Sequence, residues 1–325
     1  MLGLGTFRMS EEQLSIAIPA ALDAGYRCFD TAAVYGNEAA LARILSEQLI
    51  IKGIDRSDVY VTTKLSPRRQ GLLLAQEAIY ESLQKLKPLH YVDLFLIHWP
   101  GASKIKPNSP ENRRLRNESW TALTETWRKE LYALYRWTKL IESGCMFNIN
   151  SEADCALSFL LRWTKGSSVS VRTSSPPCII RHLGVSNYEE RHLLDLLSSS
   201  DGAMRPLVNQ IEIHPLYHPV KTIAFCQGAS IYIQAYSSLG EGNLLRHEVV
   251  VAISKEVSRD ESQVLLRWAI QHGYRVIPKS YHEEYIRKNS DLFSFSLSPG
   301  QMDRLDALSA ADGKGKCCWD PSVVL

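Results

Sequence analysis

The chain has 325 residues, of which 45% are hydrophobic and 22% charged, proportions close to the average for globular proteins. Its formal net charge of +2 gives no electrostatic basis for binding nucleic acid or an anionic membrane surface. There is no run of 18 apolar residues, and the first residues lack the basic and apolar regions of a signal peptide, so neither a membrane span nor secretion is expected. Seven cysteines, an odd number, favour reduced thiols and predict a cytoplasmic location.

Short β-rich runs alternate with segments of helical periodicity along the whole chain. The predicted strands span residues 2–6, 27–32, 59–64, 93–98, 182–186, 208–213, 231–236 and 275–280. The predicted helices span residues 11–25, 37–50, 72–86, 117–130, 188–199, 218–228, 247–257, 262–273, 283–293 and 299–310. Ser10 and Asn37 stand where helix N-caps belong, and Gly25, Gly228 and Gly273 stand where helix C-caps belong.

Eight strand–helix units of this kind predict an α/β fold, a (β/α)8 barrel. The strands are rich in Val, Ile, Leu and Phe, as expected of parallel strands buried on both faces. A doubly wound open sheet is the alternative, and the absence of a GxGxxG motif after the first strand disfavours it. We therefore predict a single barrel domain over residues 1–325.

Residues 131–179 interrupt the alternation between helix 4 and strand 5. So long a connection is unusual in a compact domain, and the chain without it is close to the ~250 residues of a typical barrel. We interpret the stretch as an atypical insertion, either a surface insertion or a segment from an unusual transcript such as a retained intron. Because it joins a helix to the next strand, it is expected on the N-terminal face of the barrel, away from the catalytic face.

Polar residues stand at the predicted C-terminal ends of strands two, three and four, where a barrel places its catalytic groups: Asp30, Lys64 and His98. Tyr35 follows Asp30 on the same loop. An acid, a base, an imidazole and a phenol at one mouth suit proton donation to a carbonyl oxygen. An ammonium about 4 Å from a phenol favours the phenolate by about 4 kcal/mol at an effective dielectric constant near 20, whereas burial opposes it.

Several motifs together resemble the aldo-keto reductase family. They occupy residues 25–38, 59–65, 93–100, 183–188, 209–215, 234–240 and 277–280. The resemblance implies a (β/α)8 barrel that reduces aldehydes or ketones to alcohols with NADPH. In it, Tyr35 corresponds to the general acid, Lys64 and Asp30 to the pair that tunes it, and His98 to the residue that orients the carbonyl. We assign no metal ligands, and no metal or redox role to Cys317 and Cys318.

The resemblance also implies the cofactor contacts. Ser186, Asn187 and Gln210 correspond to residues that bind the nicotinamide carboxamide, and Tyr236 to the ring on which the nicotinamide stacks. Ser237 and Leu239 correspond to contacts with the pyrophosphate. Lys279 and Ser280 correspond to contacts with the adenosine 2′-phosphate, and Asn289 corresponds to a contact with the adenine.

Two departures from the family pattern stand out. Tyr285 and Lys288 replace the usual arginine and acid after IPKS, so a bidentate guanidinium is lost from the 2′-phosphate site. Lys279, Arg287 and Lys288 could compensate in charge but not in geometry, which leaves the preference for NADPH over NADH open. The chain also starts directly at the first strand, without the hairpin that closes the barrel bottom in the family, so part of the barrel floor is expected to be exposed.

The leading hypothesis is a cytoplasmic carbonyl reductase that acts on a small molecule, without nucleic-acid or membrane partners and as a monomer. The alternatives are a regulatory subunit that binds the nucleotide without turnover, and an isoform disabled by the 131–179 stretch. The substrate itself is not encoded in the motifs, because specificity in this fold lies in loops, here 99–117 and 313–325. Trp99 and Trp319 could line an apolar pocket there.

Overall fold

The structure, a computed structural model, describes residues 2–142, 179–199, 204–309 and 315–325, with only the helical backbone described for 130–142. Its strands are Leu4–Gly5 (β1), Cys28–Asp30 (β2), Tyr60–Leu65 (β3), Tyr91–Ile97 (β4), Ile179–Ser186 (β5), Val208–Glu212 (β6), Tyr232–Tyr236 (β7) and Arg275–Val276 (β8). Its helices are Glu11–Asp23 (α1), Glu38–Lys52 (α2), Leu72–Leu86 (α3), Glu111–Glu142 (α4), Glu190–Ser199 (α5), Val220–Gly228 (α6), Glu248–Val257 (α7), Glu261–Gln271 (α8), Glu283–Lys288 (α9) and Pro299–Asp306 (α10).

The eight strands form one parallel sheet in the sequential order β1 to β8. The two edges of that sheet also meet, because Leu2 forms a parallel bridge with Val276. The Gly3 amide donates to the Val276 carbonyl at 2.8 Å, and the Gly5 amide donates to the Pro278 carbonyl at 3.1 Å. The predicted (β/α)8 barrel is therefore confirmed, and the doubly wound sheet is excluded.

The strands are rich in apolar residues because both faces of the sheet are buried. Every residue of β4 is buried. The main core fills the space between the sheet and the helices, and a small separate cluster of Leu94, Leu96 and Val208 fills the barrel interior. Gly184 makes this interior possible, because a Cβ there would lie 2.6 Å from both the Val208 carbonyl oxygen and Cδ2 of Leu96.

The fourth helix and the fifth strand differ from the prediction. Helix α4 continues to Glu142, well into the stretch interpreted as an insertion, and β5 begins at Ile179, the last residue of that stretch. The interruption of the strand–helix alternation is therefore confined to 143–178, which lies outside the described residues. Apolar residues in the extension, Leu131, Leu134, Trp137 and Ile141, recur three or four residues apart, so the helical period continues into the stretch that was interpreted as an insertion.

One predicted helix cap, Asn37, is confirmed in position only, and another, Gly228, is wrong. Asn37 precedes α2, but its side chain makes no cap hydrogen bond and instead bonds Thr31 and the carbonyl oxygens of Thr6 and Met9. Gly228 lies inside α6, and the turn to β7 uses Ser230 at φ 56°. By contrast, Ser10 forms a complete capping box with Gln13, as its position predicts.

Aromatic and basic side chains lie at or near the N-terminal ends of several strands. The rings of Tyr60 and His182 stack there with centroids 6.4 Å apart, and the Arg275 guanidinium lies 5.0 Å from the Tyr232 ring centroid. His182 is exposed, and 56% of Tyr232 is accessible to solvent. In the part of the chain that the structure describes, no helix combines the length and the apolar character needed to cross a bilayer.

Candidate active site

A fully buried ion pair lies at the centre of the barrel mouth. Asp30 ends β2 and Lys64 lies near the end of β3, and Nζ of Lys64 is 2.5 Å from Oδ1 of Asp30. The same ammonium donates to the Thr31 carbonyl at 2.9 Å. At most 3% of either side chain is accessible to solvent. An unpaired charge at this depth would be costly, so each residue requires the other.

Tyr35 completes this cluster from the loop after β2. It ends a short 3-10 turn, Ala33–Tyr35, and the turn is closed by Gly36 at φ 70°, a left-handed conformation that favours glycine. The Tyr35 hydroxyl lies 3.2 Å from Nζ of Lys64, which donates to it. The structure therefore brings the predicted phenol, ammonium and carboxylate into one continuous hydrogen-bonded group.

His98 lies on the other side of the phenol. It directly follows β4, and its ring meets that of Tyr35 edge to face, with centroids 5.6 Å apart. Its Nδ1 is buried without a hydrogen-bond partner among the described residues. Burial and the positive charge of Lys64 lower the pKa of His98 to about 3. The imidazole is therefore neutral at physiological pH and can donate one hydrogen bond.

Burial also keeps the Tyr35 phenol protonated. Burial raises the pKa of Tyr35 above its ordinary value, outweighing the opposite influence of the Lys64 charge, and the Asp30 carboxylate adds to the increase. Burial alone would lower the pKa of Lys64, but Asp30 and Tyr35 together raise it. The site therefore holds a protonated phenol beside an ammonium, which is the form needed to give a proton to a substrate.

Three of the residues expected to bind the nicotinamide lie together beside His98. Nδ2 of Asn187 donates to the His98 carbonyl and to Oγ of Ser186, each at 3.0 Å. The Tyr236 hydroxyl donates to Oδ1 of Asn187 at 2.6 Å. Asn187 has a φ of 64°, in the region that Asn tolerates better than most residues. These side chains thus form one hydrogen-bonded wall next to His98.

Gln210, the fourth of these residues, lies deeper than expected. Its Nε2 donates to Oδ2 of Asp30 at 2.7 Å and to Oε1 of Gln234 at 2.9 Å. The side chain is 3% exposed. In the structure, Gln210 therefore supports the Asp30–Lys64 pair directly.

The remaining predicted cofactor residues are distributed along the mouth between β7 and α9. Oγ of Ser237 lies 3.5 Å from Sγ of Cys318, and Leu239 packs on the core just before the turn Gly240–Arg246. Lys279 is exposed, whereas Asn289 is 4% exposed and its Oδ1 has no partner among the described residues. Oγ of Ser280 accepts from the His282 amide at 3.1 Å.

The two residues that depart from the family pattern do not form a phosphate cradle. Tyr285 is 54% exposed, and its ring packs edge to face against His282, with centroids 5.5 Å apart. Nζ of Lys288 lies 3.0 Å from carboxylate oxygens of both Asp260 and Glu284. Lys288 is thus already paired, and Arg287 lies 3.7 Å from a carboxylate oxygen of Glu283, whereas Lys279 is exposed.

A residue that the sequence did not reveal as functional, Glu212, anchors the C-terminal segment. Glu212 ends β6 and is fully buried, and its carboxylate accepts from Nζ of Lys316 and the amide of Cys317, each at 2.6 Å. The Cys318 amide adds bonds of 3.2 Å. Burial would raise the pKa of Glu212, but the bonds from His214 and Lys316 lower it to about 2. The one carboxylate in a buried strand, VNQIE, was the available signal.

The anchored segment carries one tryptophan to the mouth of the barrel. The ring of Trp319 meets that of Trp99 edge to face, with centroids 6.1 Å apart. Trp99 belongs to the loop after β4 and Trp319 is 80% exposed. The two rings expected to line an apolar pocket are therefore adjacent.

Comparison with known proteins agrees with this geometry. The sequence model described as the Aldo/keto reductase family matches residues 1–142 and 179–310. Glyoxal reductase of Bacillus subtilis is 32% identical over 96% of this chain and 90% of its own length. The 9,11-endoperoxide prostaglandin H2 reductase of Trypanosoma cruzi is also 32% identical, over 95% of this chain and 87% of its own.

Solved structures give the same result. A variant of Gox0644 crystallised with NADPH superposes with a TM-score of 0.72, at 26% identity over 99% of this chain and 93% of its own. The Bombyx mori aldo-keto reductase crystallised with NADP gives a TM-score of 0.71, at 26% identity over 95% of this chain and 88% of its own. The chain belongs to the aldo/keto reductase family, a family of oxidoreductases.

Proposed function

We propose that the protein reduces aldehydes or ketones to alcohols with NADPH, in a single barrel domain with its catalytic group at the mouth. The observation that carries this proposal is the 3.2 Å hydrogen bond from Nζ of Lys64 to the Tyr35 hydroxyl, beside the neutral His98 ring. A buried phenol with an ammonium behind it and an imidazole in front of it is suited to protonating a carbonyl oxygen.

Each residue then has a definable task. Tyr35 donates its proton to the carbonyl oxygen as negative charge develops there, and Lys64 stabilises the phenolate that remains. Asp30 keeps Lys64 charged and fixes its position through the 2.5 Å contact. His98 donates a hydrogen bond to the carbonyl oxygen and so orients the substrate, which its neutral state at physiological pH permits.

The residues present fit the nicotinamide cofactor. Buried polar atoms without partners among the described residues lie at the mouth, namely Oγ of Ser238 and Oδ1 of Asn289, and such atoms require a ligand or water. Ser186, Asn187 and Tyr236 would hold the nicotinamide, Ser237 and Leu239 the pyrophosphate, and Lys279, Ser280 and Asn289 the adenosine phosphate end. When bound, NADPH supplies the hydride for the reduction. Two structural neighbours were crystallised with NADPH or NADP, which supports this choice.

The convergence of all four polar groups favours an enzyme over a regulatory subunit. A regulatory subunit that only binds the nucleotide would not need a buried Asp30–Lys64 pair in contact with a phenol. An isoform disabled by residues 131–179 would keep the same groups, because they all lie outside that stretch. Deletion of 131–179 tests that alternative, and an unchanged soluble yield and thermal midpoint would count against it.

The test is NADPH oxidation by the purified full-length chain on a panel of small aldehydes and ketones, beside Tyr35→Phe. Loss of the general acid should lower turnover by about 10² to 10⁴, while NADPH affinity measured by fluorescence titration is retained. Tyr80→Phe is the matched control, since Tyr80 is 65% exposed and on α3. Undiminished turnover in Tyr35→Phe would remove the proposed role of the phenol, and a folded protein that binds NADPH without turnover would favour the regulatory subunit.

A further inference from the structure

A second cluster of potential ligands lies outside the barrel mouth, where three helices meet. His218 directly precedes the residue that caps α6, His272 directly follows α8, and Asp306 ends α10. One ligand atom from each residue lies within 4.8 Å of the other two. Nε2 of His272 is 2.9 Å from Oδ1 of Asp306, and the two imidazole centroids are 4.9 Å apart. None of these residues takes part in the proposed reaction.

We propose that His218, His272 and Asp306 bind a divalent transition-metal ion of the zinc type. Two imidazoles and one carboxylate are a ligand set that Zn²⁺ accepts, with a water molecule in the fourth position. Imidazole also suits Co²⁺, Ni²⁺ and Cu²⁺, whereas a set with a single carboxylate is poorly suited to Mg²⁺ or Ca²⁺.

The cluster needs only a small contraction to reach coordination geometry. Ligand atoms around a tetrahedral zinc ion with bonds of about 2.1 Å are about 3.4 Å apart, compared with separations of up to 4.8 Å here. The side chains of His272 and Asp306 are 23% and 38% exposed, so they can rotate and an ion can reach them from solvent. The anchoring elements are three separate helical segments, which a shared ion would hold together.

Neighbouring groups orient the ligands, as outer-shell residues do in established metal sites. Nε1 of the buried Trp268 donates to Oδ1 of Asp306 at 2.7 Å. The Tyr274 hydroxyl lies 2.7 Å from Nε2 of His218. The Trp268 ring is also close to both imidazoles, with centroids 4.8 Å from His272 and 5.3 Å from His218. Its fluorescence is therefore a local reporter for a paramagnetic ion such as Co²⁺.

A second group of possible ligands serves as an internal comparison. Glu212, His214 and Cys317 also approach one another within 4.8 Å. However, Nζ of Lys316 lies 2.6 Å from the Glu212 carboxylate, so a positive charge already occupies the position a cation would need. Binding there would involve a thiolate, whereas binding at His218, His272 and Asp306 would not.

The test is a calorimetric titration of Zn²⁺ into the full-length chain, first treated with a chelator that is then removed, and kept reduced by a phosphine, which supplies no thiolate ligand. We expect His272→Gln and Asp306→Asn each to weaken binding by about tenfold or more. His90→Asn, which removes an exposed imidazole at a φ of 67° that Asn tolerates, should leave the affinity unchanged. Circular dichroism and the metal-free thermal midpoint establish that each variant is folded.

Cobalt distinguishes the two groups of ligands. Co²⁺ bound at the proposed site should quench tryptophan fluorescence, give no intense thiolate charge-transfer absorption, and lose its quenching in His272→Gln. Equal Zn²⁺ affinity in the wild type and both variants would overturn the proposal, as would the absence of binding to folded protein. A thiolate charge-transfer band that persists in His272→Gln would also overturn it, because cysteine would then be the ligand.

Discussion

Nε2 of Gln210 lies 2.7 Å from Oδ2 of Asp30, while Nζ of Lys64 lies 2.5 Å from Oδ1 of the same carboxylate. Both oxygens of Asp30 are thereby occupied by side chains from different strands. A residue expected to bind the cofactor is thus also part of the support for the catalytic ammonium. The two tasks can be separated by measuring cofactor affinity and turnover in the same variant.

We expect Gln210→Met to lower kcat by about tenfold or more, because a hydrogen bond to a charged group contributes roughly 1.5–3 kcal/mol and Asp30 would lose one. Steady-state kinetics under saturating NADPH measure this effect, and a fluorescence titration measures cofactor affinity. Gln227→Met, on the exposed side of α6, is the control. A variant with normal kcat and reduced NADPH affinity would show that Gln210 serves the cofactor alone.

His98 should remain neutral far into the acid range. Burial and the Lys64 charge hold its pKa at about 3, well below the ~6.5 of an unfolded histidine. Below pH ~6.5 the unfolded chain therefore binds one proton more at this residue than the folded chain does. His98 thus lowers the free energy of unfolding as the pH falls below ~6.5. An NMR titration of the imidazole protons, assigned with His98→Gln, should show no transition between pH 7 and 4. A midpoint near 6.5 would contradict the burial described for this ring.

Glu212 should make the C-terminal segment sensitive to acid. Its pKa is about 2 in the folded protein, compared with the ~4.3 of an unfolded glutamate. The stability it contributes is therefore complete above pH ~5 and is lost as the pH falls towards 2, and it amounts to about 3 kcal/mol. We expect the difference in unfolding free energy between wild type and Glu212→Gln to shrink over this range.

Limited proteolysis supplies a local measurement for the same variant. At neutral pH, the segment around Cys317 should be cleaved much faster in Glu212→Gln than in wild type. The amide keeps one acceptor oxygen for the Cys317 and Cys318 amides, but its uncharged NH2 group would replace the oxygen that accepts from Lys316. Glu77→Gln, on the exposed side of α3, is the matched control. Identical cleavage rates in Glu212→Gln and wild type would show that other contacts hold the segment.

Lys279 should determine the preference for a phosphorylated cofactor. It is exposed at the mouth, whereas Lys288 is paired with Asp260 and Glu284. We expect Lys279→Ala to raise the Kd for NADPH by about tenfold, equivalent to about 1.4 kcal/mol, with an effect of less than about twofold for NADH. Lys288→Ala should change both values by less than about twofold. Equal losses for NADPH and NADH in Lys279→Ala would show that this lysine does not contact the 2′-phosphate.

The barrel could be predicted because its signals are local. Apolar strands buried on both faces, each followed by a periodic helix, specify the unit, and α3 occupies the predicted residues 72–86. The extension of α4 to Glu142 was missed because its helical spacing, at Leu131, Leu134 and Ile141, was assigned to the interrupting stretch. Asn37 has the chemistry of a cap, but its amide serves a tertiary contact with Thr6 and Met9 instead.

The proximity of the proposed catalytic residues could also be anticipated, since Asp30, Lys64 and His98 stand at strand ends that a barrel brings together. The contacts that the sequence did not predict join residues far apart in the chain. Glu212 and Lys316 are separated by 104 positions, and Gln210 and Asp30 by 180. The sequence around each residue does not indicate its partner, because the strand register and the path of the loops determine which distant residues meet.

The hydrogen bonds that run from Gln234 through Gln210 and Asp30 to Lys64 link four strands of the barrel wall. The proposed proton donor is therefore supported by the strands, whereas Trp99 and Trp319 come from the loop after β4 and from the C-terminal segment. The proposed function thus separates chemistry from recognition. Exchanging residues 98–110, between β4 and α4, and the C-terminal segment should redirect the proposed reductase to new carbonyl compounds while Tyr35 remains preorganised.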